Sequence, residues 1–219
     1  MTKNKKPILI LVDGPSGGGK TTVANKIAMD LPSNLSCLII NQDRFYKNFK
    51  DKLDLNGMVK INYDHPNSFS WPLIRKSIYS LMDSKKTSLP IYDYVDHKRM
   101  DKKEVAHPVD VIIFEGIYAL FDEEINKLAS LKIFVNTPMD ECFIRRVLRD
   151  VKERGRTLDS VINQWRNTVK PMYKAFIEPL KSSADIILPW NQENHLGVNI
   201  LRHGLKGIIK ENDELLSKE

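Results

Sequence analysis

The sequence predicts an α/β fold of three layers, with a five-stranded parallel sheet between helices. Two observations carry this. Short apolar runs alternate along the chain with stretches whose apolar residues recur at helical spacing. The first run, Ile8-Leu9-Ile10-Leu11-Val12, passes through a glycine-rich segment straight into such a helical stretch.

The strands are expected at residues 8–12, 37–41, 109–115, 131–135 and 185–188. Each is a short apolar run, the pattern of a strand covered on both faces. The first helix follows the glycines and carries Val23, Ala24, Ile27, Ala28 and Leu31 at 3.6-residue spacing. Further helices are expected at 71–82, 123–129, 139–153, 158–177 and 195–210, and residues 89–95 and 98–105 read as a small antiparallel excursion. The polar tail 211–219 reads as a fraying end.

The chain has 219 residues, 34 Lys plus Arg against 28 Asp plus Glu, and a net charge of +6. That excess fits anionic ligands and also weak nucleic-acid affinity, so charge alone does not choose between them. Cys37 and Cys142 are far apart and form no C-x-x-C pair, which reads as a reduced, cytoplasmic protein. Lys3, Lys5 and Lys6 precede only five apolar residues before Asp13, too few for a secretory signal. No apolar run approaches the ~20 residues that cross a bilayer, so no membrane partner is expected. No His and Cys pair has zinc-ligand spacing.

Gly14-Pro15-Ser16-Gly17-Gly18-Gly19-Lys20-Thr21 matches G-x-x-x-x-G-K-[ST], between a strand and a helix, and Thr22 follows it. Glycines let successive backbone N–H groups wrap phosphate oxygens, and the helix N-terminus adds positive partial charge. Lys20 is expected to bridge the terminal phosphates of a nucleoside triphosphate, with the Thr21 hydroxyl on Mg²⁺. The loop makes the fold a P-loop NTPase-type one.

In open α/β sheets, ligands gather beyond the carboxyl ends of the strands. The second strand ends in Asn41-Gln42-Asp43-Arg44-Phe45-Tyr46 and the third in Phe114-Glu115-Gly116. Phosphoryl transfer needs a metal to neutralise charge, a carboxylate to orient or deprotonate the attacking hydroxyl, and cations on the moving group. Asp43 is the candidate base and Glu115 the candidate for the Mg²⁺ shell, directly or through water. For such acids, the plain alternative is a cap or a solvated turn. Asp13 either structures the loop or borders the substrate.

In the helix at 139–153, Ile144, Val147, Leu148 and Val151 form one stripe, with Arg145, Arg146 and Arg149 opposite. Arg154-Gly155-Arg156 follows, where glycine ends a helix or serves as a hinge. Mobile arginines that close over phosphates make an Arg-rich lid; a solvated basic face is the plain alternative. Tyr63-Asp64-His65-Pro66 and Tyr92-Asp93-Tyr94-Val95-Asp96-His97 set aromatic rings beside acids and a histidine. Such segments stack on a flat base and bond a ribose, or else are core tyrosines and a structural histidine.

Together these segments resemble the uridine–cytidine kinases, which phosphorylate the 5′-hydroxyl of pyrimidine ribonucleosides. The resemblance runs from the phosphate loop to about Leu205. It rests on Gln42–Tyr46, Asn62–Pro66, Pro90–Tyr94, Phe114–Ile117, Arg145–Asp150 and Arg154–Arg156, continued by Val169–Pro171 and Ala184–Pro189. It implies ATP or GTP as donor, Mg²⁺ held by Thr21, Asp43 and Glu115, and Asp43 as base. It implies Asp64 on the ribose, Tyr92 and His97 on the base, and Tyr63 and Tyr94 packing around it. Tyr46 joins the acceptor pocket. Arg146 would sit near sugar and phosphates, Arg149, Arg154 and Arg156 at donor phosphates or the closed lid, and Gln164 at the acceptor side. A homo-oligomer, commonly a tetramer, is implied too. Asp96 stands where a small hydroxyl residue is usual, and Trp165 where tyrosine is common.

Residues 1–219 are thus expected to form one kinase domain, with an acceptor-binding excursion at about 62–107 and a lid at about 139–170. Phosphoribulokinase- and pantothenate-kinase-like activities are the nearest alternatives. Both substrates are anionic and suit Asp64 and its aromatic neighbours less well than a neutral nucleoside does. A GTP-driven switch would need Asn-Lys-x-Asp, and Asn126-Lys127 is followed by Leu128-Ala129. A nucleic-acid module is the weakest reading, because the arginines gather near one proposed lid.

Overall fold

The computed structural model describes residues 6–48, 62–93 and 98–217. Tyr94, Asp96 and His97 lie outside the described residues.

Five parallel strands form the main sheet: β1 (Ile8–Asp13), β2 (Cys37–Asn41), β5 (Val111–Glu115), β6 (Leu131–Asn136) and β7 (Ile186–Pro189), in the order β2-β5-β1-β6-β7. The small antiparallel sheet pairs β3 (Thr87–Asp93) with β4 (Lys98–Ala106). β1 is buried along its whole length, and alternate residues serve opposite faces. Ile8, Ile10 and Val12 join one core with Val23 and Ile27 of α1 (Lys20–Met29). The same core takes Val198, Leu201, Leu205 and Ile209 of α7 (His195–Ser217). Leu9 and Leu11 join the other core, with Ile74, Ile78 and Leu81 of α2 (Trp71–Met82), Phe45, Phe69 and Tyr118.

The order reverses beside β1: the chain lays β2 and β5 on one side of it, then β6 and β7 on the other. A crevice opens at such a switch point. Val12 and Asn41 are both in register with Glu115, so three strand ends and the start of the phosphate loop converge there.

Two expected helices, at 158–177 and 123–129, are corrected. The helix α4 (Met139–Lys152) forms as expected, but its apolar stripe faces outward. Ile144 is 52% exposed and Leu148 50%, whereas Arg146 and Asp150 are buried with Cys142. The polar face is interior because it borders a polar cavity rather than a core. The single helix expected at 158–177 is broken into α5 (Leu158–Gln164), a wide π turn at Trp165–Val169, α6 (Lys170–Met172) and a second π turn at Tyr173–Ile177. Pro171 has no N–H for a regular helical ladder, and the wider turns carry the chain past it. The helix α3 (Glu123–Asn126) stops short of the expected residue 129.

Candidate active site

The loop after β1 is shaped by its glycines. Gly19 has φ +89°, a left-handed value that favours glycine, and a Cβ there would collide with the Trp190 indole. A Cβ on Gly17, at φ +77°, would meet the Cys142 carbonyl of α4. The loop is buttressed from outside: Thr137 Oγ1 donates to the Gly18 carbonyl at 2.8 Å. Below it, both oxygens of the buried Asp13 carboxyl accept backbone N–H groups, Gly14 at 2.6 Å and Leu120 at 2.8 Å. Burial pushes that carboxyl up to about 8, against the pull of these donors and of Lys20. Asp13 therefore structures the loop, one of the two roles expected for it.

A cavity of about 490 Å³ lies over these strand ends. From the loop and α1 it takes Ser16, Gly17, Lys20 and Thr21; from the strand ends and their sequels, Asn41, Asp43, Tyr46, Glu115, Gly116 and Ile117. The excursion adds Tyr63, Asp64 and Tyr92. The far wall is Arg146, Arg149, Arg154, Arg156, Ser160, Gln164 and Thr168. Gly14, Pro15, Gly18 and Gly19 build the loop without lining the cavity, and Thr22 is exposed on α1.

At the sheet end, Asn41 Nδ2 and Thr21 Oγ1 donate to Glu115 Oε1, at 2.5 and 2.9 Å. Asn41 Oδ1 in turn accepts the Asp43 N–H at 2.7 Å, which fixes the turn carrying Asp43. Lys20 Nζ rests on the Pro15 carbonyl at 2.9 Å. Burial lowers Lys20, with Glu115, Asp13 and Asp43 opposing. Desolvation raises Glu115 and Asp43, while Lys20 pulls each back, as do Arg154, Arg149 and Arg146 for Asp43. Acids and cations of opposing shift thus face one cavity, which makes them candidates for chemistry.

The side of the cavity next to the excursion, where an acceptor is expected, is aromatic and polar. Tyr46 stacks on Phe69 with ring centroids 4.3 Å apart, and Tyr92 and Tyr63 lie 5.2 and 5.8 Å from it. Asp64 Oδ2 accepts from Thr168 Oγ1 at 2.6 Å and Gln164 Nε2 at 3.2 Å, and Tyr118 holds the Asp64 carbonyl at 2.5 Å. Gln164 Oε1 accepts from Arg146 at 2.9 Å and Arg156 at 2.5 Å. Arg146 Nη1 also donates to Ser16 Oγ at 2.7 Å, spanning from the phosphate loop to the acceptor side. Arg145, by contrast, stays outside this wall, bonded to Glu141 and the Asn191 carbonyl.

Asn41, Thr168 and Asp150 were not singled out for function from the sequence. Asn41 had a readable signal, a polar residue ending a buried strand. Thr168 stands four residues after Gln164, on the same side of a helical stretch.

Thr21, Glu115 and Asp43 offer hydroxyl and carboxylate oxygens, the donor set that suits Mg²⁺. No group of three or more His, Cys, Asp and Glu side chains that could hold a metal ion gathers among the described residues.

A strand-to-helix phosphate loop facing a polar, arginine-walled cavity defines a P-loop phosphotransferase. The comparisons narrow this. Residues 9–196 match the model of the phosphoribulokinase / uridine kinase family, and the chain belongs to it. It is 48% identical to a uridine kinase of Ureaplasma urealyticum, over 93% of this chain and 98% of that one. It is 45% identical to a uridine kinase of Lactobacillus johnsonii, over 94% and 98%. A solved structure from Silicibacter, named as a kinase of a fructose transport system, superposes with TM-score 0.70 at 20% identity, covering 86% and 93%. At that identity it speaks for the fold.

Proposed function

We propose that this chain is a uridine kinase, moving the γ-phosphoryl group of ATP or GTP to the 5′-hydroxyl of uridine or cytidine in pyrimidine salvage. The observation that carries the reading is the shared cavity: Lys20 and Thr21 of the phosphate loop, Asp43, and the Asp64 and tyrosine pocket face one space. The near-full-length likeness to uridine kinases supports the choice of acceptor.

The loop N–H groups and Lys20 hold the triphosphate. Asp64 accepts from the ribose hydroxyls, with Tyr46, Tyr63 and Tyr92 against the nucleoside and, by resemblance, Tyr94 and His97 reading the base. Asp43 accepts the 5′-hydroxyl proton as that oxygen bonds to the γ-phosphorus, while the β–γ bridging oxygen departs with the nucleoside diphosphate. Mg²⁺, held by Thr21, Glu115 and Asp43, would offset charge on the phosphate oxygens. Arg146, Arg149, Arg154 and Arg156 stabilise the transferring group and exclude water. By the same resemblance the chain acts as one kinase domain in the cytoplasm, as a homo-oligomer. No helix among the described residues is long and apolar enough to cross a membrane.

The test is nucleoside diphosphate release with uridine, cytidine, adenosine, ribulose 5-phosphate and pantothenate as acceptors, with and without Mg²⁺. Uridine and cytidine turn over, and only with the metal. Asp43→Asn stays folded, still binds nucleotide and loses about 10²–10⁴-fold in kcat, the usual worth of a positioned base. A folded wild-type protein that leaves both pyrimidine nucleosides untouched ends the reading.

A further inference from the structure

The lid arginines do not point at a common target by chance of sequence: each has a contact to one carboxylate. Asp150, in the last turn of α4, is wholly buried. Arg149 holds its Oδ1 through Nε at 2.9 Å and Nη2 at 2.8 Å, and Arg154 stands 3.6 Å from the same oxygen. Arg156 and Arg146 approach Oδ2 at 3.3 and 3.5 Å. The Asp150 carbonyl accepts the Arg156 N–H at 3.0 Å, which closes the turn around Gly155 at φ +63° and brings Arg154 and Arg156 back toward α4.

Four guanidinium groups around one carboxylate leave a surplus of positive charge. Like charges this close repel strongly when partly desolvated. Arg146 and Arg156 are also held by Gln164, at 2.9 and 2.5 Å, but the carboxylate common to all four is that of Asp150. All four line the cavity that holds Lys20 and Asp43. Their surplus charge suits a polyphosphate tail, while Asp150 keeps them together before that tail arrives.

We propose that Asp150 is a positioning residue: its buried charge gathers Arg146, Arg149, Arg154 and Arg156 so that the phosphoryl donor meets a preorganised lid. This rests on the reading of that wall as the donor lid. Preorganisation of this kind lowers the ordering cost of binding. Burial alone would raise the Asp150 carboxyl; the Arg149 and Arg146 charges outweigh it and hold the group below its ordinary range.

The experiment compares the wild type with Asp150→Asn and Asp150→Glu. The probe is inorganic tripolyphosphate, its dissociation constant taken by calorimetry with no acceptor present, since it reaches the loop and arginines and carries no nucleoside. Asp150→Asn should raise both that dissociation constant and the ATP KM by about tenfold or more, the scale of losing one partner of a buried charge pair. Asp150→Glu, which keeps the charge, should stay within about threefold. A folded Asp150→Asn with an unchanged tripolyphosphate constant overturns the proposal, even if kcat falls with the fraction of active protein. So does a folded Asp150→Glu as impaired as Asp150→Asn. If Asp150→Asn fails to fold, combining it with Arg149→Gln should restore the fold by relieving repulsion, and a double variant that stays unfolded also overturns it. A wild type inactive on uridine would instead end the functional reading, which the tripolyphosphate constants do not depend on.

Discussion

At the scale of single residues, the buried acids divide by what holds them. Asp13 accepts the Gly14 and Leu120 N–H groups inside the protein. Asp13→Ala strands both donors without an acceptor, at about 1–3 kcal/mol each. Urea unfolding should therefore show a loss of about 2–6 kcal/mol, and a loss below about 0.5 kcal/mol would remove Asp13 as the tie under the loop. Asp43 differs, because its carboxyl borders the cavity, although desolvation raises it as it does Asp13. As the proposed base it must be deprotonated to act, and in the metal- and nucleotide-free protein its carboxyl should titrate above the ~4 of an ordinary aspartate. A carbon-detected NMR titration of that form with a midpoint at or below about pH 4 contradicts the shift. The linkage to stability has the opposite sense. Between its unfolded and raised folded values the native chain holds a proton that the unfolded chain has lost, so stability declines as pH rises through that window. Asp43→Asn should accordingly unfold at higher temperature than the wild type at pH 8. Positions such as Asp43 and Glu115 were readable because strand ends next to a phosphate loop are few. Asp150 was not, since a single acid inside an Arg-rich helix looks like any solvated i,i+4 partner until burial is known.

At the scale of elements, the strands of the main sheet could be read to within two residues, since apolar runs buried on both faces leave little ambiguity. Helix α4 was equally plain as a helix, yet its buried face was not. Periodicity tells which residues share a side; that the apolar side is the inner one assumes an apolar interior. Here the interior is a cavity bordered by arginines, and Ile144 and Leu148 stand half in solvent. Leu148→Gln should cost less than about 1 kcal/mol in chemical denaturation, against the 2–5 kcal/mol typical of emptying a core leucine site. A core-sized loss would return the stripe to the interior. The π turns after Gln164 were invisible for a different reason. Pro171 marks a disturbance, but whether the chain kinks or widens is settled by packing. Trp165 and Val169 are buried against Cys142, and Phe143 of α4 packs on them. The widened turn begins directly after Gln164 and contains Thr168, the two residues that hold Asp64.

At the scale of the whole molecule, the two halves of the cavity proposed for donor and acceptor come from distant parts of the chain, and a short chain of side chains joins them. Ser16 on the phosphate loop bonds Arg146, Arg146 bonds Gln164, and Gln164 bonds Asp64. Under the proposed function, a nucleotide tail that drew Arg146 toward its phosphates would change what Gln164 can offer Asp64, and a ribose on Asp64 would act in reverse. Coupling between two ligands must be reciprocal. Calorimetric titration of uridine should therefore give a dissociation constant that changes by about fivefold or more when a non-hydrolysable ATP analogue is present, with the same factor for the analogue when uridine is present. Gln164→Ala breaks the middle link, so both factors should collapse toward one, even though uridine alone still finds Asp64 and Thr168. If the two ligands remain coupled to the wild-type extent in that variant, the communication runs through Mg²⁺ or backbone closure instead, and the side-chain path from Ser16 to Asp64 is only a scaffold.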